Sequence, residues 1–313
     1  MTEGFDFNEA DIDVMLANLD SFSEEEVVEI DRMVDELSTR SKNKRAYDDL
    51  IEFCKLMMPD FIVGKHHRIL ADLLMGIESG EKDRICVNIP PRHGKSQLVS
   101  IFFPAWFLGR NPNKKVMMVS HTTDLAVDFG RKVRNLIALD SYRSIFPTVK
   151  LAQDSKSAGR WNTNVGGEYY ACGIGSALAG RGADLLLVDD PHSEQDVING
   201  NFGVFEKAYE WFTFGARTRL MPHGAVAIIQ TRWHLDDLTG RVVRDMGKNE
   251  RADQYDVVEF PAILDVLDKK TEKTVQKPLW PEFFDLEALL RTKASMPVFQ
   301  WNSQYQQQPT TEE

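Results

Sequence analysis

Residues 88–97, NIPPRHGKSQ, hold the densest chemistry in the chain. Gly94-Lys95-Ser96 ends a phosphate-binding loop of spacing G-x-x-x-x-G-K-[ST], but the first glycine is replaced by Ile89. In such a loop, backbone N–H groups and the following helix N-terminus hold phosphate oxygens. The lysine reaches the β- and γ-phosphates, and the Ser hydroxyl ligates Mg²⁺. Pro91, Arg92, His93, Gly94, Lys95, Ser96 and Gln97 are therefore the candidate ATP-binding residues.

A second cluster is LLLVDD, ending in Asp189-Asp190. A carboxylate at the carboxyl end of a buried strand can hold Mg²⁺ beside Ser96, and Asp189 stands there. Asp190 is placed to orient or deprotonate the attacking water. The third is AVAIIQTRWHLDDL (225–238), a buried strand ending in Gln230-Thr231-Arg232. It puts polar groups at the sheet edge where a nucleotide sits, with Gln230 or Thr231 as the γ-phosphate sensor.

These side chains work only if strands and helices bring them together. RICVNI (84–89) reads as a buried strand, and SQLVSIFFPAWFL as the helix after the loop. KVMMVSH (115–121), EYYACGIG (168–175), DLLLVDD (184–190), AVAIIQT (225–231) and YDVVEF (255–260) are further apolar runs. Helical patterns alternate with them after Thr122 or Thr123, over about 204–219 and over about 235–246. The alternation argues an α/β fold with a mostly parallel sheet and helices on both faces. YDVVEF is the last clear strand.

The 313 residues carry a net charge of −11, and it is unevenly spread. Residues 1–37 hold 13 acidic residues and one basic one, leaving 35 acidic against 36 basic in the rest. The body is thus neutral, so the overall charge says little about nucleic-acid binding. Residues 1–22 read as loosely ordered. Ser23 with Glu26 forms a capping box that starts a helix. No apolar run is long enough to span a membrane, and the acidic start lacks a signal-peptide pattern. The three cysteines are scattered and suggest neither a zinc site nor disulfides.

Taken together, IPPRHGKS, GRGADLLLVDDP and IIQTRWHLDDL, with FQWNSQYQQQP near the end, resemble the ATPase domain of the large terminase subunit of tailed bacteriophages. The resemblance covers about residues 50–310 and implies a P-loop fold of the RecA/ASCE type. It divides the chain into an acidic helical arm (1–48), a P-loop ATPase domain (49–265) and a helical lid or linker (266–313). The activity implied is Mg²⁺-dependent ATP hydrolysis driving double-stranded DNA into a viral procapsid. A helicase-like nucleic-acid ATPase and a non-catalytic nucleotide-binding scaffold are the alternatives.

The family's loop tolerates loss of the first glycine and carries an arginine, which maps onto Arg92 as a γ-phosphate contact. Asp189 matches the Mg²⁺ aspartate, and Gln230-Thr231-Arg232 matches the coupling segment. Many members carry Asp-Glu where this chain has Asp189-Asp190, so either Asp190 or Glu194 is the base. A neighbouring subunit of a ring can supply an arginine finger. Arg181 is favoured because glycines flank it and it lies just before the Asp189 strand, with Arg160 and Arg217 as alternatives. Phe61, His66, His67 and Arg68 lie where related ATPases hold the base of the nucleotide. Lys114, Lys115 and the arginines of RKVRN (131–135) are candidates for DNA phosphate contact. The expected partners are double-stranded DNA, the portal protein and the small terminase subunit, in the cytoplasm of an infected host cell. The nuclease domain usual in the family is not expected in this chain.

Overall fold

The computed structural model describes residues 14, 17, 18, 21–154, 157–198, 202–269 and 272–310. The reading of 1–22 as loosely ordered lies mostly outside them. The first long helix, α1 (Glu24–Asp48), starts at Ser23, whose side chain accepts from the Glu26 N–H while Glu26 caps back. Its start is solvated, whereas Ala46 near its end is buried and its carbonyl accepts from Trp106 Nε1. The acidic arm is thus fixed to the body at its far end.

Helices α2 (Leu50–Met57) and α3 (Lys65–Ser79) lead to strand β1 (Arg84–Asn88). After the loop, a π-helical turn (Gln97–Phe102) runs into α4 (Phe103–Arg110), then β2 (Lys115–Ser120). Helices α5 (Thr123–Ile137) and α6 (Asp140–Ile145) follow. Strands β3 (Arg160–Asn162), β4 (Glu168–Gly173), β5 (Ala183–Asp189) and β6 (Leu220–Gln230) come next. Helices α7 (Glu194–Ile198) and α8 (Gly203–Glu210) lie between β5 and β6, and α9 (Leu238–Lys248) and β7 (Asp256–Glu259) follow β6.

The seven strands are ordered β3-β4-β2-β5-β6-β1-β7. Every pairing is parallel except β3 with β4. Successive side chains of a strand point to opposite faces, so a sheet covered on both sides needs apolar residues throughout. The inner stretches of the four central strands supply them. Ile85, Met118, Leu187 and Ile229 enter the core packed under α2, α3 and α5. Cys86, Met117, Leu186 and Ile228 enter the opposite core with Phe212 and Leu238. The α/β class, the mostly parallel sheet and the two helical layers are as the sequence pattern predicts.

Two differences concern the edges. The chain continues past β7 into an antiparallel hairpin, β8 (Ile263–Asp268) and β9 (Lys273–Pro278), before α10 (Leu286–Ala294) and α11 (Val298–Gln304). The expected boundary after residue 265 falls inside β8. Ala262, Ile263, Leu289 and Trp301 make a small separate core with Phe284 and Tyr305, so the hairpin belongs with the C-terminal helices. Among the described residues no helix is long and apolar enough to cross a membrane.

Candidate nucleotide-binding site

The site forms where β1, β6 and β5 end side by side. β6 lies between the other two, so the loop after β1 and the acids after β5 meet across its tip. The Ile89 N–H donates to the Gln230 carbonyl (3.0 Å), and the Thr231 hydroxyl donates to the Ile89 carbonyl (3.0 Å). These bonds zip the start of the loop to the end of β6.

The loop then turns through two left-handed residues, Arg92 at φ 62° and Gly94 at φ 78°. A side chain on Gly94 would place its Cβ 2.3 Å from His67 Nε2. Glycine is therefore required twice over, by backbone conformation and by close approach. A cleft of about 500 Å³ opens along Pro91, Arg92, Gly94, Lys95, Ser96 and Gln97. Arg92 is exposed on its rim.

Lys95 is buried, and its Nζ lies 2.5 Å from Asp190 Oδ2. Burial works against the ammonium, but the charges of Asp190 and Asp189 outweigh it and hold the lysine's pKa above its ordinary value. The other oxygen of Asp190, Oδ1, accepts the Thr231 N–H at 2.8 Å. Asp190 itself has φ 43°, and its own N–H donates to the Ile229 carbonyl. Asp190 thus links the loop lysine to the segment after β6.

Asp189 is 1% exposed, and its Oδ2 accepts the Ser100 hydroxyl at 2.7 Å. Burial, then the charge of Asp190, pushes its pKa up; Lys95 and the hydroxyls of Ser100 and Ser96 pull the other way. Its Oδ1 is buried with no hydrogen-bond partner. Both polar atoms of the Gln230 side chain, itself fully buried, are likewise unpaired. Orphaned buried oxygens of this kind are rare in native interiors and suit a hard cation or a polar ligand.

Residues 86–289 match the family described as terminase large subunit, T4likevirus-type, N-terminal. The chain belongs to this terminase family. Among solved structures, the HK97 bacteriophage large terminase aligns with a TM-score of 0.50 and 14% identity, over 80% of this chain and 52% of that one. The chain thus spans about half the length of the HK97 protein. The Thermus phage P74-26 large terminase ATPase domain aligns at 0.47 and 15%, over 76% and 92% of the two chains. The large terminase of the thermophilic bacteriophage D6E, solved with ATP-gamma-S, aligns at 0.44 and 10%, over 73% and 50%. No curated protein sequence matches the chain significantly.

Within this terminase fold, several expected site residues stand elsewhere than expected. The His93 ring is fully buried and faces away from the cleft, stacked on Phe284. His67 is also fully buried: its Nδ1 accepts the Gly64 N–H and its Nε2 donates to the His93 carbonyl. Both nitrogens are spent on the backbone, so His67 props the loop from behind instead of facing a nucleotide. Arg232 is buried, and its Nε donates to both oxygens of Asp237, at 3.0 and 2.8 Å. Its guanidinium braces the segment inward, away from a phosphate-binding role. Glu194 is exposed at the start of α7.

Arg181 is not close to Asp189. It precedes the first residue of β5, at the opposite edge of the sheet. The strand's seven residues separate the two by about 20 Å. There Arg181, Arg160 and Lys115 gather around Glu168, at 3.4, 3.7 and 3.9 Å. Arg217 pairs with Asp253 at 2.9 Å. The DNA-contact candidates also have partners: Lys114 pairs with Asp184, Lys115 with Glu168 and Arg131 with Asp128, and Arg134 donates to the Asn135 side chain.

Three contributors went unread in the sequence. Ser100 lies one turn beyond Ser96 inside an apolar helix, where a lone hydroxyl was the available signal. Asp237 is fully buried and caps α9 through the Gly240 N–H while receiving Arg232. His192 accepts the Leu238 N–H at 2.9 Å.

Proposed function

We propose that this chain is the ATP-hydrolysing module of a motor that drives double-stranded DNA into a viral procapsid. The observation that supports it most is the meeting of Lys95, Asp190 and Asp189 at one sheet edge in a chain of the terminase family. The loop's N–H groups and Lys95 would take the β- and γ-phosphates, and Arg92 on the cleft rim would reach the γ-phosphate. Phosphate oxygens compete with Asp190 for Lys95. ATP binding would therefore release Asp190 Oδ2 to orient the attacking water, with Thr231 N–H still holding Oδ1.

The residues present fit Mg²⁺. Asp189 has a buried unpaired oxygen, and the Ser96 hydroxyl interacts with the same carboxyl. Ser96 and Asp189 would hold the ion, which would neutralise charge on the phosphates. Ser100 would keep Asp189 aimed. The portal protein, the small terminase subunit and a ring of like subunits remain the partners proposed. A neighbour's Arg181, carried on the far sheet edge, would reach the cleft in trans. Contacts to DNA would be made to phosphates and would weaken with salt.

The test is ATP hydrolysis against protein concentration, with and without double-stranded DNA, for wild type, Lys95→Ala, Asp190→Asn and Arg181→Ala. Turnover that rises with self-association and is lost in all three variants is expected. Nucleotide binding without hydrolysis under every condition would replace the motor with a scaffold.

A further inference from the structure

The C-terminal segment 280–307 touches both walls of the nucleotide cleft. On the loop side, the His93 ring stacks on Phe284 with centroids 5.0 Å apart and planes 30° apart. The His93 carbonyl accepts from both His66 Nε2 (3.0 Å) and His67 Nε2 (2.9 Å). Trp280 packs edge-on against the same two rings, at 5.5 and 4.8 Å. The middle of the phosphate loop is thus set in an aromatic socket built half from α3 and half from the C-terminal segment.

On the other side, the Arg232 N–H donates to Gln307 Oε1 (3.1 Å), and Ser303 Oγ donates to the Arg232 carbonyl (3.0 Å). Arg232 follows Thr231, whose N–H holds Asp190. Phe284, Leu289 and Trp301 share one small core, so the two contacts belong to one packed unit. A change in the loop and a change at Asp190 therefore reach the same body by separate routes.

We propose that His93 is a positioning residue: through its stack on Phe284 it ties the loop's conformation to segment 280–307, while Gln307 ties the same segment to the Asp190 side. This rests on the loop being a nucleotide site. An aromatic pair of this kind shifts an equilibrium by about two- to tenfold. Coupling between the loop and the segment is reciprocal.

The experiment is hydrogen exchange of the full chain with and without the non-hydrolysable analogue AMP-PNP and Mg²⁺, read on peptides covering 280–290 and 300–307. Wild type should bind the analogue and change its exchange rates in both peptides by about two- to tenfold. Phe284→Ala should bind with affinity within about threefold of wild type, lose the change at 280–290 and keep it at 300–307. Gln307→Ala should show the reverse. Phe284→Tyr, which keeps the ring, should restore the first. Should Phe284→Ala not fold, Phe284→Leu removes the ring while filling the space. A Phe284→Ala or Phe284→Leu protein with the wild-type change at 280–290 overturns the proposal. So does a wild type that binds the analogue with neither peptide responding. A wild type that binds no analogue removes the nucleotide reading itself, and this inference with it.

Discussion

Replacing Gly94 by alanine tests how the loop is held. Gly94 sits at φ 78°, and an alanine in that left-handed conformation costs about 1–2 kcal/mol. Its Cβ would stand 2.3 Å from His67 Nε2, in a buried ring bonded at both nitrogens. Forcing that ring aside costs about 1–3 kcal/mol as overpacking and about 1 kcal/mol for the broken bond to the His93 carbonyl. Gly94→Ala should therefore lower stability by about 3–6 kcal/mol. The cost divides cleanly, because the clash and the broken bond both need His67. On a His67→Ala background, Gly94→Ala should cost only the backbone share, about 1–2 kcal/mol. Urea unfolding of wild type, both single variants and the double variant measures the coupling. An equal cost on both backgrounds would refute the reasoning, since the imidazole would then not be what excludes a side chain.

Three further outcomes follow from buried charges. Burial holds His67 down at about 3 and His93 and His192 at about 4, whereas unfolded histidines take protons near 6.5. The unfolded chain thus binds more protons between those values, and stability falls as pH drops from 6.5, by about 1.4 kcal/mol per unit for each. Asp189, raised by burial, offsets one of the three over part of that window, so melts at pH 5 should show a loss of about 4–5 kcal/mol against pH 7. Unchanged melts would contradict this. Asp237→Ala takes from the buried Arg232 guanidinium its short ion pair, leaving Glu259 at 3.7 Å, and removes the α9 cap; a loss of about 3–5 kcal/mol is expected in urea unfolding, and a loss under about 1 kcal/mol would contradict the pairing. Ser100→Ala removes the donor that helps keep Asp189 ionised, so calorimetric Mg²⁺-ADP affinity should fall more at pH 6 than at pH 8. An equal fall at both would put Ser100 outside the metal's surroundings.

The parts legible in the sequence are those whose signal is local. The inner stretches of β1, β2, β5 and β6, such as residues 225–229 of β6, are apolar because both of their faces are covered, and the loop and acid pair sit directly at strand ends. β8 and β9 left no such mark, since their residues, such as Asp265, Lys273 and Gln276, are mostly solvent-facing. Side-chain direction was the other gap. His93 and Arg232 stand in site motifs, yet their partners, Phe284 and Asp237, turn them inward. Nothing in the spacing of GKS or QTR distinguishes a ligand from a brace. Arg181 shows a related gap: it stands before the start of β5, a full strand length from Asp189 at the strand's end, and adjacency in sequence does not show that distance.

The left-handed backbone at Asp190 gives a physical account of the chain's one departure from the Asp-Glu pair common in the resembling family. Among residues bearing a carboxylate, aspartate enters that conformation most easily, because its short side chain bonds to nearby backbone. Asp190 does so through Thr231. A glutamate there would carry its carboxylate one methylene past that N–H while keeping the same strained φ. Position 190 is therefore under two demands at once, a negative oxygen at a fixed depth and a main chain that turns the wrong way, and aspartate is the residue that answers both.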